Sequence, residues 1–186
     1  MGFSHSFGGV VSDPTLSVKN IDAKVEAASI GVARSFKLFG LTSQAMVVLP
    51  YGWAKVSGDV GEVRKEITRE GFADMRLRWS VLLLGAPAAT LPEIKKAPRK
   101  TIVGLSLNMI LPTGEYFSDK LINLGTNRFS FTPELALSQP ISKRWLFDLY
   151  AGVWLFTNNE AFYPGDAVRS QKPMGTLQGH LSYNIS

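Results

Sequence analysis

Apolar and polar side chains alternate with a strict period of two in strand-length blocks along this chain. The clearest block covers residues 73–83. Ala73, Met75, Leu77, Trp79, Val81 and Leu83 fall on one side, and Asp74, Arg76, Arg78 and Ser80 on the other. Successive strand side chains point to opposite faces, so the block has one greasy face and one charged face. The same pattern recurs at residues 101–111 (Val103, Leu105, Leu107, Met109, Leu111 against Gly104, Ser106, Asn108) and at 129–137 (Phe129, Phe131, Leu135, Leu137 against Ser130, Thr132, Glu134). It recurs at 145–156 (Trp145, Phe147, Leu149, Ala151, Val153, Leu155) and at 177–185, where Gln178, His180, Ser182 and Asn184 oppose Leu177, Leu181, Tyr183 and Ile185. Two further strands are expected at 23–37 and 43–56. In the second, Ala45, Val47, Leu49, Tyr51 and Trp53 share a face, and Pro50 marks a bulge or bend.

About seven strands result, most reaching the 9 to 11 residues that a tilted bilayer crossing needs. Residues 1–22 read as a loop-like lead-in, and the whole chain as a single β-barrel domain. Connections at 57–71, 112–128 and 157–175 are long; those after the first and fifth strands are short. Outer-membrane barrels show that asymmetry, with short periplasmic turns and long external loops. The connection at 85–100, with Lys95, Lys96, Arg99, Lys100 and two prolines, is a solvated loop that breaks the rhythm. The stretch 61–70 fits either a helical turn or two, or strand extensions above a membrane. The fold class expected is all-β: an antiparallel up-and-down transmembrane β-barrel, partial in this chain. A soluble sheet with one wet face produces the same alternation and stays open as the alternative.

Composition narrows the choice. Charged residues make up 19% of the 186 and hydrophobic ones 45%. No apolar run approaches the roughly 18 residues of a spanning helix, which excludes a helical membrane protein. There is no cysteine, so disulfides, thiolate metal sites and cysteine nucleophiles are excluded. The net charge of +5 comes from scattered basic residues, not the basic face with interleaved aromatics of a nucleic-acid binder. His5 and His180 are the only histidines, there is no phosphate loop and no HExxH, and no cofactor is expected.

Four stretches carry a resemblance: GFADMRLRWSVLLLGAPA (71–88), INLGTNRFSFTPELALSQPI (122–141), LYAGVWLFTNN (149–159) and RSQKPMGTLQGHLSYNI (169–185). Together they resemble the family of Gram-negative outer-membrane proteins named for the phenol meta-cleavage degradation pathway. The resemblance covers the chain from about Ala23 onward. It implies location in the cell outer membrane, contact with outer-membrane lipid, and passive uptake of small hydrophobic or aromatic solutes. It also implies a longer protein, with a signal peptide and further strands at both ends. The odd strand count and the opening MGFSHSFGGVVSDP, which has no basic n-region or apolar h-region, agree with a fragment.

Lumen-lining or substrate-binding residues expected on the polar face are Asp74, Arg76, Arg78, Asn123, Asn127, Arg128, Glu134, Asp148, Gln178 and His180. They would set pore charge or simply pair with one another. Asn123, Asn127, Arg128 and Glu134 could hold a loop folded into the mouth or meet a ligand, with Arg128 near enough to Glu134's strand to serve as a salt-bridge anchor. Tyr51, Trp53, Trp145, Trp154 and Tyr163 fit interfacial belts. His180, Ser182 and Asn184 at i, i+2, i+4 outline a lipid-hydrolase constellation, but they share the polar face and lack an oxyanion hole. An enzyme is therefore not expected. The alternatives are a structural or ligand-binding barrel without transport, a soluble β-barrel or sandwich that binds a ligand, and a lipid hydrolase.

Overall fold

The computed structural model describes residues 1–10, 18–86 and 100–185. Among them every regular element is a strand: β1 (Gly2–Val10), β2 (Val18–Leu38), β3 (Leu41–Val60), β4 (Val63–Phe72), β5 (Met75–Leu84), β6 (Ile102–Leu111), β7 (Ser130–Pro140), β8 (Trp145–Phe156), β9 (Asn159–Phe162), β10 (Ala167–Arg169) and β11 (Met174–Tyr183). The main sheet is antiparallel in the order β1-β2-β3-β5-β6-β7-β8-β11, with β4 also paired to β3, and β9 and β10 form a separate hairpin. The sheet is barrel-type and open, with β1 and β11 at its edges. Strand order follows chain order, as hairpin-connected neighbours dictate.

Eight strand lines therefore cross the sheet, where the alternation suggested about seven. The extra line is β1, which pairs with β2 from Gly2↔Ser29 to Val10↔Ile21 and corrects the loop-like reading of 1–22. The basic stretch 95–99 and most of the connection around it lie outside the described residues.

The stretch 61–70 is strand, not helix. β3 runs on to Val60, turns at Gly61 and Glu62, and returns as β4. Gly61 has φ +66, the left-handed value a two-residue hairpin turn asks of its first position. β3 is long enough to take two partners, β5 along 43–48 and β4 along 51–60. The hand-over falls at Pro50. Its carbonyl accepts from Ala73 N at 3.0 Å, so its missing N–H faces the same side, where β4 and β5 are interrupted at Ala73 and Asp74. Proline thus sits where the ladder needs no donor.

Cross-strand register sorts the side chains into two surfaces. Val32, Val47, Leu77, Met109, Phe131 and Leu155 are successive partners on one of them. That surface is exposed: Val32 and Leu177 show 72% and 73% of their area, and Ile30, Leu105, Leu135 and Leu181 are also open. The buried apolar residues among those described are Ile21, Ala54 and Val81 alone. A water-soluble domain of this size buries roughly 70% of its surface around an apolar core. Here the apolar residues face out, the arrangement of the outer wall of a transmembrane barrel fold. The 12 residues of β8, at roughly 3.4 Å each and tilted about 40°, rise about 30 Å, the thickness of a bilayer's hydrocarbon core.

Aromatic clusters bracket this band. Tyr51 lies 4.9 Å from Trp53 and 5.2 Å from Phe72 at the end with the long connections; Trp145 lies 4.9 Å from Tyr183 at the other. Beyond Trp53 the polarity reverses. The outward positions of β2, β3 and β4 become an ion-pair ladder, with Lys24–Glu26 at 3.1 Å, Lys55–Glu66 at 2.9 Å and Arg64–Asp22 at 2.6 Å. Inward positions there include the apolar Ala54, Val56 and Ile67, with Lys65 and Arg69 on either side of Ile67. The hydrogen bond from Arg64 to Asp22 raises the guanidinium pKa further above its ordinary value. Solvent screening leaves such exposed pairs weak, but they mark where the outward face turns from apolar to charged.

Candidate functional site

The inward face of the band is polar and has a centre. The Arg78 guanidinium on β5 donates from Nη2 to Ser106 Oγ on β6 and to Glu134 Oε1 on β7, both at 3.4 Å. Ser106 Oγ in turn donates to Glu134 Oε1 at 3.1 Å. The register produces this row, because Ser106 and Glu134 are direct partners and Arg78 sits beside them opposite Asn108. Two long charged side chains thus neutralise each other in the middle of the wall. Gln44 reaches Ser35 Oγ at 3.4 Å on the neighbouring strands.

At the end with the long connections, residues 112–129 fold inward over the sheet. The clasp that holds them is Asp74, in the break between β4 and β5 and only 6% exposed. Its Oδ1 accepts from Gly114 N at 2.9 Å; its Oδ2 accepts from Thr126 N at 2.8 Å and Thr126 Oγ1 at 2.6 Å. Arg69 donates to Ile122 O at 3.1 Å, and Glu115 N to Phe72 O at 2.9 Å. Room is made by the cross-strand glycine pair Gly52 and Gly71. A Cβ on Gly52 would meet Leu124 at 3.4 Å, and one on Gly71 would overlap the Glu115 carboxylate. Gly52 is an inward position, so the loop lies against the inner wall.

Two asparagines complete the fold of the loop. Asn123 accepts from Phe117 N at 2.8 Å and donates to the Phe117 and Lys120 carbonyls, which closes the turn 117–123. Asn159, 2% exposed, donates to Tyr116 Oη at 2.8 Å and to Thr126 O at 3.2 Å, and accepts from Asn127 Nδ2 at 2.9 Å and Ala161 N at 3.0 Å. Asn159 therefore ties the loop to the β9–β10 hairpin. Asn127 has φ +51, a left-handed backbone that asparagine tolerates better than most residues. It turns Arg128 back over the inward ring of Phe156, with the guanidinium carbon 4.6 Å from the ring centre.

A family model described as "Putative MetA-pathway of phenol degradation" matches residues 9–186. The chain belongs to that phenol-degradation family. Its fold is similar to that of an outer membrane channel from Pseudomonas putida F1, with a TM-score of 0.74 at 19% identity. The match covers 99% of this chain and 64% of the channel, so this family member spans a little under two thirds of the solved protein's length. No curated protein matches the chain.

Within this family member, the residues singled out by sequence fall into three groups. Arg76, Arg78, Glu134, Asp148, Gln178 and His180 all take inward register positions. Arg78 and Glu134 meet directly; Asp148 and His180 are cross-strand partners, and the His180 ring packs edge-on to Tyr150 at 5.9 Å. Arg76 borders a shallow groove with Val48, Pro50 and Ala27. Asp74, Asn123 and Asn127 belong to the loop framework rather than to the open wall. Arg128 stands apart. Its partner is Gln171 Oε1 at 2.6 Å, and the ion pair expected between Arg128 and Glu134 is made by Arg78 instead. Ser182 shares the inward face with His180, turned away from the outward apolar surface. Of the expected belt aromatics, Tyr51, Trp53 and Trp145 face outward, Trp154 takes an inward position paired to Met174, and Tyr163 sits in the β9–β10 turn. Asn159 and Tyr116 carry the loop and were not singled out, because neither stands in a chemical motif.

Proposed function

We propose that this chain forms the larger part of the wall of an outer-membrane channel in Gram-negative bacteria, through which small hydrophobic or aromatic solutes enter passively. The observation that carries the reading is the two-sided sheet: an exposed apolar band bracketed by aromatics on the outside, and a polar, charge-compensated wall within. Membership of the phenol-degradation family and a channel-like fold support it. The inward loop at 112–129 narrows the passage, which suits small solutes. The apolar inner positions Ala54, Val56 and Ile67 lie where such a solute would first meet the lumen. Chemistry in this reading is confined to solvation: the wall offers polar groups to water and apolar patches to the solute, and no bond is made or broken.

The test uses the full-length protein in vesicles whose outer leaflet carries lipopolysaccharide, which slows unaided entry of apolar solutes. Labelled toluene should equilibrate several-fold faster than in protein-free vesicles. Equal rates would contradict transport and favour a plugged barrel, for which the latched loop would be the plug.

A further inference from the structure

Arg128 is held in a way that the loop framework does not require. Its guanidinium rests on the Phe156 ring and donates from Nη2 to Gln171, while Nη1 is enclosed and has no hydrogen-bond partner among the described residues. Buried donors of this kind are normally satisfied. A second arginine, Arg169 on β10, rests on another ring, 5.2 Å from the centre of Phe162. Neither makes an ion pair among the described residues, whereas Arg64 and Arg78 both do. Burial first and the nearby positive charge of Arg169 second push the Arg128 pKa below its ordinary value. Arg169 stands two residues from Gln171, the residue that Arg128 bonds, so two arginines without ion pairs among the described residues gather positive charge at the loop end of the lumen.

The surroundings specify more than charge. Trp154 and Phe156 lie on the inward side of β8, stacked with centroids 6.1 Å apart and planes 10° from parallel. The backbone leading into Arg128 is fixed by the Asn127–Asn159 hydrogen bond, so its charge is placed in advance. A rigid guanidinium fork matches a carboxylate's two oxygens, and an apolar ring platform beside it accommodates a flat body.

We propose that Arg128 and Arg169 form an anion-recognition site at the loop end of the lumen, whose ligand is a small aromatic carboxylate. The carboxylate takes the exposed guanidinium fork of Arg169, with the charge of Arg128 behind it; the ring lies toward Trp154. The assignment deepens the channel reading by naming the charge of the solute, and it rests on that reading only for the site's place on a transport path.

The experiment measures equilibrium binding of labelled benzoate and of its neutral isostere benzamide to the detergent-purified full-length protein at low ionic strength. Permeation of both is followed in proteoliposomes. The native protein should prefer benzoate by about tenfold or more, a preference that falls severalfold at 0.5 M salt. Arg128→Gln and Arg169→Gln should each lower that preference by about tenfold, and Arg128→Lys, which keeps charge but loses the fork, by less. Arg169 is exposed, so its variant tests the site even if Arg128→Gln disturbs the loop. The detergent-gel mobility of each variant, boiled and unboiled, is compared with that of the native protein to verify its barrel. No benzoate preference in the native protein, or an unchanged preference in either glutamine variant, overturns the assignment. Benzoate binding without permeation would sink the channel reading and leave the site standing; permeation without the preference would do the reverse.

Discussion

Replacing Asp74 by Ala removes one acceptor that serves three donors, two of them backbone amides: Gly114 N, Thr126 N and Thr126 Oγ1. A hydrogen bond to a charged group contributes about 1.5–3 kcal/mol net, and bonds that share one carboxylate do not add fully. Closure of the loop at 112–129 should weaken by about 3–5 kcal/mol. One decade of equilibrium constant is about 1.4 kcal/mol, so the open loop should become roughly a hundred to a few thousand times more populated. Amide hydrogen exchange of the full-length protein reads this directly. Gly114, Gly125 and Thr126 should exchange faster by that factor, capped by whatever the other loop contacts hold, while β6 and β7 stay within about threefold of the native rates. Asp74→Asn keeps one acceptor oxygen but turns an NH2 toward a donor, so it should fall between. Exchange in the loop within threefold of native would refute the clasp. Equal acceleration throughout β5, β6 and β7 would show that Asp74 supports the sheet instead.

Further expectations follow from the same geometry. Asn159→Ala orphans groups on both the loop and the β9–β10 hairpin, and should weaken their union by about 2–4 kcal/mol, seen as faster proteolysis at 157–173. Leu135, 51% exposed in the middle of the outward face, should tolerate Arg only at a penalty of about 2–4 kcal/mol for folding into bilayers, measured by urea titration in vesicles. A change within about 0.5 kcal/mol would mean that this face meets water. Glu134→Gln leaves the Arg78 charge without its partner in the wall, so the reversal potential in a salt gradient should move toward anion selectivity, and an unmoved potential would place that pair off the ion path. Gly71→Val puts a side chain where the Glu115 carboxylate lies, on a backbone with φ +149, and should lift the loop and raise conductance.

Legibility followed the phase of the alternation. β8 was visible from residue 145 to 156 because its apolar positions never slip. β3 is cut short and β4 left open because the apolar positions shift from odd to even numbers between Trp53 and Ala54, as the outward face passes from apolar to charged and Ala54, Val56 and Val60 turn inward. A phase slip looks like a strand end when only one solvent is imagined. β1 was missed because Ser4, Ser6, Gly8 and Gly9 leave little contrast between its faces; only Phe3 and Phe7 mark the outside. Pro50 reads as a bulge or bend in the sequence, but the β2–β3 register runs through it without a shift, and it sits instead opposite the interruption between β4 and β5. The clasp itself joins residues 52 positions apart, and no local spacing announces such a bond. The polar face of β5 and β7 was legible as a face, but the choice of Arg78 over Arg128 as the partner of Glu134 depends on register between strands, which alternation within one strand does not encode.

The chain contains no cysteine, so single cysteines introduced along β7 carry a spin label without background. In the full-length protein in bilayers, labels at Phe131, Leu135 and Leu137 should relax with oxygen, which concentrates in lipid. Labels at Thr132, Glu134 and Ser138 should relax with a water-soluble nickel chelate. That alternation, with the lipid signal strongest near Leu135, is what an outward apolar band and a wet lumen require. Nickel access at every position, or oxygen access on the Glu134 side, would contradict the account at its centre.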